Sequence, residues 1–329
     1  MKVHNNIAVL PAFNKAVITI GTFDGVHLGH RQIITQLKKE AARIGGETVL
    51  VTFDPHPRKV VTDKPLQLIN TLSEKIALLE VQDIDHLVIV PFTIAFSEQT
   101  AEQYVEDFLI GRFHPHTVII GYDHRFGKNR GGDFKLLEKY AANHAFELIE
   151  IPGQVIDEVT ISSTKVREAL LHGRIEEANH FLGYPYFFSG TVIEGNKLGR
   201  TLGYPTANLA IADSDKLVPG NGVYAVTVVS DQWSVVSEQP KNNSEATAQS
   251  PIPIPHSLKG MMNIGIRPTI GGVKRVIEVN IFDFDGDLYG KDLLVTLEKY
   301  LRGEQKFNGL DALKEQLAKD KIAALEALS

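Results

Sequence analysis

Short apolar runs rich in β-branched residues alternate with amphipathic stretches of helical period over residues 16–152 of the chain. In chain order, these segments are AVITI, GHRQIITQLKKEAARIG, TVLVTF, HLVIVPF, AEQYVEDFLIG, TVIIGY and DFKLLEKYAANH. Such alternation is typical of βαβ units, in which the strands run parallel and the crossovers are right-handed. We therefore predict an α/β, Rossmann-like fold for this part of the chain.

The hydrophobic period changes near Gly183. Residues 162–171 and 174–182 have the spacing of two short helices, and the tract LGYPYFFSG then interrupts the pattern with glycine, proline and aromatic residues. The following segments have the pattern of strands, and the last has the pattern of a helix: YFFSGTVIEG, GVYAVTVV, GMMNIG, RVIEVNIFDF, LLVTLEKYL and LDALKEQLAKDKIAALEAL. We predict one domain over residues 1–183 and a second over residues 184–329, the second a small antiparallel β-barrel with a helix.

One stretch of the second domain has little to bury. Residues 231–257 are rich in Ser, Gln, Asn and Pro. Segments of this composition gain too little from burial to offset the entropy lost on ordering. We predict a flexible hairpin extension between two barrel strands, without a catalytic role.

Composition and charge narrow the chemistry. The chain of 329 residues is longer than the roughly 250 to 300 that one hydrophobic core usually serves, and it has no cysteine. Disulfides, thiolate metal sites and cysteine nucleophiles are therefore excluded. The lack of a long apolar run or a signal-peptide pattern leads us to expect a cytoplasmic protein with no membrane partner. A net charge of −6 argues against nucleic acid as a partner.

The first candidate site follows the strand AVITI directly. The sequence GTFDGVHLGH places two imidazoles where a strand ends and a helix begins. A helix N-terminus carries unpaired N–H groups and partial positive charge, which attract phosphate. His27 and His30 can face the same phosphates and stabilise the charge that develops during displacement at phosphorus. An isolated H-x-x-H pair is more often a capping or packing pair, and that alternative stays open. The phosphate-binding candidates beside the histidines are Gly21, Phe23, Asp24 and Gly25.

Two later segments are expected near this site. GYDHRFGKNR follows the strand TVIIG and emerges at the same edge of the sheet, and ISSTKVR places hydroxyls and cations at another helix N-terminus. Ser and Thr are also ordinary N-caps, so the second segment allows a purely structural role. The ATP-binding candidates from these segments are Asp123, Ser162, Ser163, Thr164 and Arg167.

Together these motifs resemble the adenylyltransferase half of the bacterial bifunctional riboflavin kinase/FAD synthetases. HLGH, GYDHRFGKNRGG, ISSTKVR and TFDPHP match that family, with a departure at His124, where phenylalanine is usual. The resemblance implies that the motifs bind ATP and FMN, that the FMN phosphate attacks the α-phosphorus of ATP and that pyrophosphate leaves. It also implies flavin contacts by Asp54, His56 and Pro57.

The second candidate site is the segment GNKLGRTLGYPTAN in the predicted barrel. Taken alone, its glycines are more often those of a hairpin connection. Thr206 and Asn208, two apart on an extended segment, can point to one side and offer neutral oxygens to a Mg²⁺ that keeps waters and phosphates. The MgATP-binding candidates are Gly195, Lys197, Gly203, Thr206 and Asn208, of which Thr206 and Asn208 are the metal candidates.

PTAN is highly characteristic of riboflavin kinases, and NIGIRPTIGG, RVIEVNIFDFDGDLYG and LRGEQKFNGLDAL also resemble that family's barrel. The resemblance implies that Thr206 and Asn208 bind the metal–nucleotide. It implies further that Glu278 is the base for the ribityl 5′-hydroxyl and that Arg267 and Arg302 contact the flavin. Asn280 stands where family members often carry histidine.

The expected function is a two-step synthesis of FAD, with ATP, riboflavin and FMN as substrates and Mg²⁺ as cofactor. Two alternatives stay open at this point. In the first, the chain retains only one of the two activities. In the second, it is a flavin-sensing or carrier protein without turnover. The sequence does not reveal whether FMN passes between the sites or whether the protein self-associates.

Overall fold

The computed structural model describes residues 1–63, 65–144, 146–152, 155–156, 159–195, 198–230, 257–269 and 272–329. Apart from Ser257, the predicted extension over residues 231–257 lies outside the described residues. The chain divides into two compact units, residues 1–68 with 72–162 and residues 69–71 with 163–329. The helices over residues 163–182 thus pack with the second unit, whereas the predicted boundary near Gly183 placed them in the first domain. The boundary between the two activities stays a prediction.

The first unit contains a six-stranded parallel sheet with the strand order β1-β4-β3-β2-β5-β6. Its strands are β1 Lys2–His4, β2 Val17–Ile20, β3 Thr48–Asp54, β4 His86–Pro91, β5 Thr117–Gly121 and β6 Glu147–Ile151. Every residue of β2 is buried, as expected for a strand covered on both faces. The predicted parallel sheet is confirmed. Two short strands, β7 Val155–Ile156 and β8 Val159–Thr160, pair separately as an antiparallel hairpin.

Helices connect the parallel strands of the first unit. The α-helices are α1 Leu28–Ile44, α2 Pro57–Val61, α3 Leu72–Glu80, α4 Ile94–Ser97, α5 Ala101–Gln103, α6 Gly111–Phe113 and α7 Phe134–His144. Between α5 and α6 the chain continues as a π-helix, Tyr104–Ile110. Helix α1 ends where Gly45 takes a φ of 63°, a left-handed conformation that glycine adopts without steric cost.

The second unit is a closed antiparallel barrel with the strand order β10-β13-β12-β11-β14-β9. Its strands are β9 Tyr186–Ile193, β10 Ala207–Ala210, β11 Gly222–Ser230, β12 Leu258–Thr269, β13 Gly272–Ile281 and β14 Asp292–Arg302. Its helices are α8 Ser163–Leu171, α9 Ile175–Leu182, α10 Leu198–Thr201 and α11 Leu310–Ala327. The predicted barrel with a C-terminal helix is confirmed. Within the described part of the chain, none of the helices has the length and apolar character needed to cross a bilayer.

Candidate active sites

The first candidate site lies at the carboxyl end of β2, which is an inner strand of the parallel sheet. Strand β3 lies on one side of β2 and β5 on the other, so the strand order reverses there, and doubly wound sheets bind ligands at such a point. The turn GTFDGVHLGH follows β2, Pro55 to Pro57 follow β3, and Tyr122 to Gly127 follow β5. The carboxyl ends of three neighbouring strands therefore carry three of the predicted motifs, as expected from the sequence.

The turn after β2 has an uncommon backbone conformation. Phe23 and Val26 have φ angles of 48° and 36°, in a region that is costly for residues other than glycine. Both side chains are buried, at 1% and 0% exposure, so packing holds the backbone in this shape. Gly25 is also in this region, with a φ of 90°. Asp24 lies between these residues and is itself only 1% exposed, which places a carboxylate in the interior of the turn.

His27 is the N-cap of α1. Its Nδ1 accepts a hydrogen bond from the backbone N–H of His30 at 3.3 Å, and its side chain is buried. The capping role that the sequence left open is therefore present at His27. A neutral imidazole whose Nδ1 is an acceptor carries its proton on Nε2. The cap thus leaves Nε2–H as the ring's donor and does not exclude a catalytic role.

The ring of His30 stacks on that of His27 with a centroid separation of 3.7 Å and an interplanar angle of 16°. Phe23 lies on another side, with its ring centroid 5.0 Å away. The buried Nδ1 of His30 has no hydrogen-bond partner among the described residues. Burial holds the pKa of His30 well below its ordinary value, and the charges of His27 and Lys75 lower it further. His30 is therefore a neutral imidazole whose buried Nδ1 has no hydrogen-bond partner among the described residues.

Gly29 is required by the close approach of the His27 ring. A Cβ at this position would stand 3.2 Å from Nδ1 and 3.3 Å from Cε1 of His27. A larger residue at position 29 would therefore displace the imidazole. The third glycine of the GTFDGVHLGH motif thus leaves room for the imidazole of His27.

Lys75 was missed by the sequence analysis. It lies on α3 with 6% of its surface exposed, on the same buried face as Leu78 and Leu79. The available signal was a lysine at a position where the helical apolar stripe requires a hydrophobic residue. Its charge interacts with those of Asp24 and Asp54.

The flavin candidates of the first unit lie after β3. His56 is 9% exposed and is the N-cap of α2, with its Nδ1 accepting from the N–H of Arg58 at 3.1 Å. Pro57 is the first residue of α2, and Asp54 is exposed at the end of β3. Their contacts to flavin stay predictions.

The loop after β5 contains Asp123 and His124. Asp123 is exposed, and its role stays a prediction. His124 stands where the family usually has phenylalanine, and its ring lies 5.6 Å from that of Phe126. Burial, and secondly the charge of Arg130, lower the pKa of His124 to about 4, so it is an uncharged aromatic ring at neutral pH.

Ser162 is the last residue of the first unit, and Ser163, Thr164 and Arg167 lie in the first turns of α8 in the second unit. Ser163 and Arg167 are half-buried, and Thr164 is exposed. Their role in ATP binding stays a prediction.

The second candidate site is a row of polar side chains across three barrel strands. Asn208 on β10 and Asn263 on β12 both pair directly with Glu278 on β13. Directly opposed residues of antiparallel strands point to the same face of the sheet. The register therefore brings together Asn208 and Glu278, which are far apart in the sequence. It also adds Asn263, which the sequence analysis missed.

The segment before β10 needs glycine where it meets this row. A Cβ on Gly195 would stand 2.5 Å from Cγ of Asn208, and a Cβ on Gly199 would stand 3.4 Å from Oγ1 of Thr206. Gly203 has a left-handed φ of 81°. The candidate Lys197 lies outside the described residues.

Arg267 pairs with Glu278. The Nη2 atom of Arg267 lies 2.7 Å from both carboxylate oxygens of Glu278, and the two side chains are 36% and 15% exposed. The predicted flavin contact of Arg267 stays a prediction, but the pairing places it beside the candidate base.

Arg302 contacts a helix of its own unit. Its Nε donates to Oδ1 of Asp320 at 2.8 Å and its Nη2 donates to Oδ2 at 2.6 Å, which attaches the end of β14 to α11. The two side chains are 16% and 5% exposed. This buried bidentate pair is a structural role that the sequence did not indicate, and a flavin contact by Arg302 stays a prediction.

Asn280 connects β13 to the segment GYPTAN. It is 5% exposed, and its Nδ2 donates to the carbonyl oxygen of Pro205 at 2.6 Å. A cavity of about 310 Å³ opens beside this contact, and Tyr204, Phe282 and Lys321 are among its lining residues. The asparagine therefore shapes the wall of a cavity next to the candidate metal ligands.

Comparisons with known proteins identify two enzyme domains in the chain. Two family models match the chain, FAD synthetase over residues 10–165 and riboflavin kinase over residues 182–328. The bifunctional riboflavin kinase/FMN adenylyltransferase of Escherichia coli K12 is 36% identical over 311 residues, which cover 94% of this chain and 92% of that protein. The protein of the same name from Listeria monocytogenes is 37% identical over 307 residues, covering 92% and 90%.

A solved structure shares the whole fold. A protein from Streptococcus pneumoniae described as a macrolide-efflux protein superposes with a TM-score of 0.83 and 28% sequence identity, over 98% of each chain. The arrangement of a parallel α/β unit followed by a closed barrel is thus found in a solved protein of matching length.

Proposed function

Because the chain belongs to the family of bifunctional riboflavin kinase/FMN adenylyltransferases, we propose that it phosphorylates riboflavin to FMN and then adenylylates FMN to FAD. Both enzyme domains are present, and they imply small-molecule substrates. The observation that supports the proposal best is the pairing of Asn208 with Glu278, because it unites the PTAN segment with a carboxylate on a neighbouring strand.

In the proposed adenylyl transfer, an oxygen of the FMN phosphate forms a bond to the α-phosphorus of ATP. The bond from that phosphorus to the bridging oxygen breaks, and pyrophosphate leaves with the electron pair. Nε2–H of His27 donates to the phosphate oxygens on which charge increases. The neutral ring of His30 stacks on that of His27. Neither histidine forms a covalent bond in this scheme.

In the proposed kinase reaction, the ribityl 5′-oxygen forms a bond to the γ-phosphorus of ATP and ADP leaves. One oxygen of Glu278 accepts the hydroxyl proton, while Arg267 keeps its contact with the other oxygen. General-base assistance of this kind typically contributes about 10²- to 10⁴-fold. Arg267 holds the carboxylate in place during the transfer.

Kinases and nucleotidyltransferases generally use a divalent metal, and we propose Mg²⁺ for the kinase site. Thr206 and Asn208 are half-buried and offer neutral oxygens, and Asn208 pairs directly with Glu278. Among the described residues, no group of three or more His, Asp or Glu side chains is placed to hold a metal. Mg²⁺ usually keeps waters and phosphate oxygens, so a small set of neutral donors fits it. When bound, the metal neutralises phosphate charge.

The full-length protein, incubated with riboflavin and MgATP and analysed by chromatography, tests the proposal. We expect FMN to form first and FAD to follow, and FMN supplied directly should give FAD and pyrophosphate. Formation of FMN alone would show that the chain lacks adenylyltransferase activity. Flavin binding without any consumption of ATP would instead support a carrier or sensor protein and overturn the proposal.

A further inference from the structure

A lysine is buried near the carboxyl ends of the parallel strands, where the first candidate site lies. Lys75 is 6% exposed, whereas lysine is almost never buried to this degree without a partner. Among the described residues, its ammonium donates one hydrogen bond, to Oγ1 of Thr52, and that bond is long at 3.4 Å. Replacing this lysine with an apolar residue would avoid the desolvation of a charge. Its presence therefore indicates a role for the charge itself.

The groups around Lys75 include candidate residues of the first site. Thr52, which accepts from Lys75, lies on β3 and donates its own hydroxyl to the carbonyl of Thr22 at 3.1 Å, in the turn after β2. Burial lowers the pKa of Lys75, and the carboxylates of Asp24 and Asp54 raise it in opposition. The ammonium thus lies close enough to two carboxylates to feel both, at the carboxyl ends of β2 and β3.

The same charge acts on the catalytic imidazoles. The positive charge of Lys75 is one of the causes that lower the pKa of His30, together with burial and His27. An ammonium ion near a buried imidazole disfavours its protonation. The charge of Lys75 therefore acts on Asp24, Asp54 and His30, and every one of these is a candidate of the first site.

We propose that Lys75 is a positioning residue for adenylyl transfer, whose buried ammonium offsets the carboxylate charge of Asp24 and Asp54 where the nucleotide phosphates bind. The inference rests on the proposed adenylyl transfer and adds a residue that neither the sequence motifs nor the comparisons assign. Without the ammonium, the negative charges of the buried Asp24 and the exposed Asp54 would act more strongly on a polyanionic substrate, and like charges repel. Lys75 acts through these groups and does not contact the reacting atoms.

The test uses the full-length Lys75→Met variant, in which a side chain of similar length carries no charge. Lys39→Met is the matched control, since Lys39 is exposed on α1 of the same unit. For Lys75→Met we expect a higher KM for ATP and a loss of kcat/KM for FAD formation of about 10- to 100-fold, the scale typical of groups that act through a neighbouring residue. Riboflavin phosphorylation in the same samples should stay normal because the kinase site lies in the other unit, and thermal unfolding reports whether the unit that contains Lys75 is folded.

Two further measurements distinguish a charge effect from a packing effect. Imidazole NMR of Lys75→Met should show the pKa of His30 moved upward, whereas Lys39→Met should leave it unchanged. In the Asp54→Asn background, Lys75→Met should lower kcat/KM for FAD formation by a smaller factor than in the wild-type background, because one of the two carboxylates is already neutral. Equal costs in both backgrounds with an unmoved His30 titration would overturn the proposal.

A folding defect in the uncharged variants would also distinguish a structural role of Lys75 from the proposed one. Lys75→Gln keeps a hydrogen-bonding group for Thr52 and serves as the second uncharged variant. If neither uncharged variant folds while Lys75→Arg behaves as wild type in every assay, Lys75 serves folding and the proposal is wrong. Wild-type protein that makes no FAD from FMN would refute the proposed function itself, an outcome that is separate from all of those above.

Discussion

His27 is a helix cap and a proposed catalytic donor, and two substitutions should separate its effect on stability from its effect on catalysis. His27 caps α1 through Nδ1, and in the proposed reaction its Nε2–H donates to substrate. His27→Asn retains a cap, because the asparagine oxygen can accept the N–H of His30, but it has no donor at the Nε2 position. His27→Ala loses both functions. The two variants should therefore differ in stability and agree in activity.

The magnitudes follow from the contacts. Loss of an N-cap costs about 1 kcal/mol, which lowers the melting temperature of a unit of this size by roughly 2 to 4 °C. Loss of a donor to developing charge lowers the rate about 10²- to 10³-fold. We expect both variants to lose FAD formation on that scale, while only His27→Ala loses stability.

The assays are FAD formation from FMN, riboflavin phosphorylation on the same samples, and thermal unfolding. The kinase activity belongs to the other unit and should be unchanged in both variants. If His27→Asn made FAD at the wild-type rate, capping alone would explain His27, and the assignment of Nε2–H as a donor would be refuted. Equal loss of both activities would contradict two independent sites.

Three further predictions concern the barrel and the loop after β5. Glu278→Gln should lower riboflavin phosphorylation by about 10²- to 10⁴-fold and spare FAD formation from FMN. Gly195→Ala should lower kinase activity by up to about 100-fold, because its Cβ would stand 2.5 Å from Cγ of Asn208 and displace that side chain. His124→Phe should flatten the pH dependence of unfolding. The pKa of His124 is about 4 in the folded protein against 6.5 for the free side chain, so acidification through this range protonates the unfolded chain first and removes stability.

Each of these predictions has a result that contradicts it. A Glu278→Gln enzyme with normal FMN production removes Glu278 from the role of base. Normal riboflavin phosphorylation in Gly195→Ala would mean that Asn208 does not need its observed position. For His124→Phe, the free energy of unfolding is measured with urea at pH 7 and at pH 5. The loss of stability between these values should be smaller than in the wild type, and an unchanged loss would show that His124 is protonated equally in both states.

The elements that the sequence predicted are those with a strong local period. The strand before GTFDGVHLGH is uniformly apolar, and the helix after it begins at Leu28, as the motif required. The edge strands β1 and β6 were not predicted. Lys2–His4 has no buried residue, and only Ile151 is buried in Glu147–Ile151, so neither has the apolar run that marks an inner strand.

The candidate sites show the same division. The motifs located His27, Thr206 and Asn208, because glycine, imidazole and hydroxyl residues at a strand end have a local chemical meaning. They did not locate Lys75, because a single lysine within the apolar stripe of a helix belongs to no ligand-binding motif. The attachment of Arg302 to Asp320 was also not visible in the sequence, because a pairing between a strand and a distant helix has no local signature.

The sequence by itself determined that a parallel α/β unit precedes a small barrel, and it indicated which segments are candidates for nucleotide binding. Hydrophobic period and glycine placement are local properties, so they can be read without coordinates. The tertiary structure alone decided that Asn208, Glu278 and Asn263 form one row and that a buried ammonium lies near Asp24 and His30. Strand register and burial depend on contacts between distant parts of the chain, and a linear pattern does not specify them.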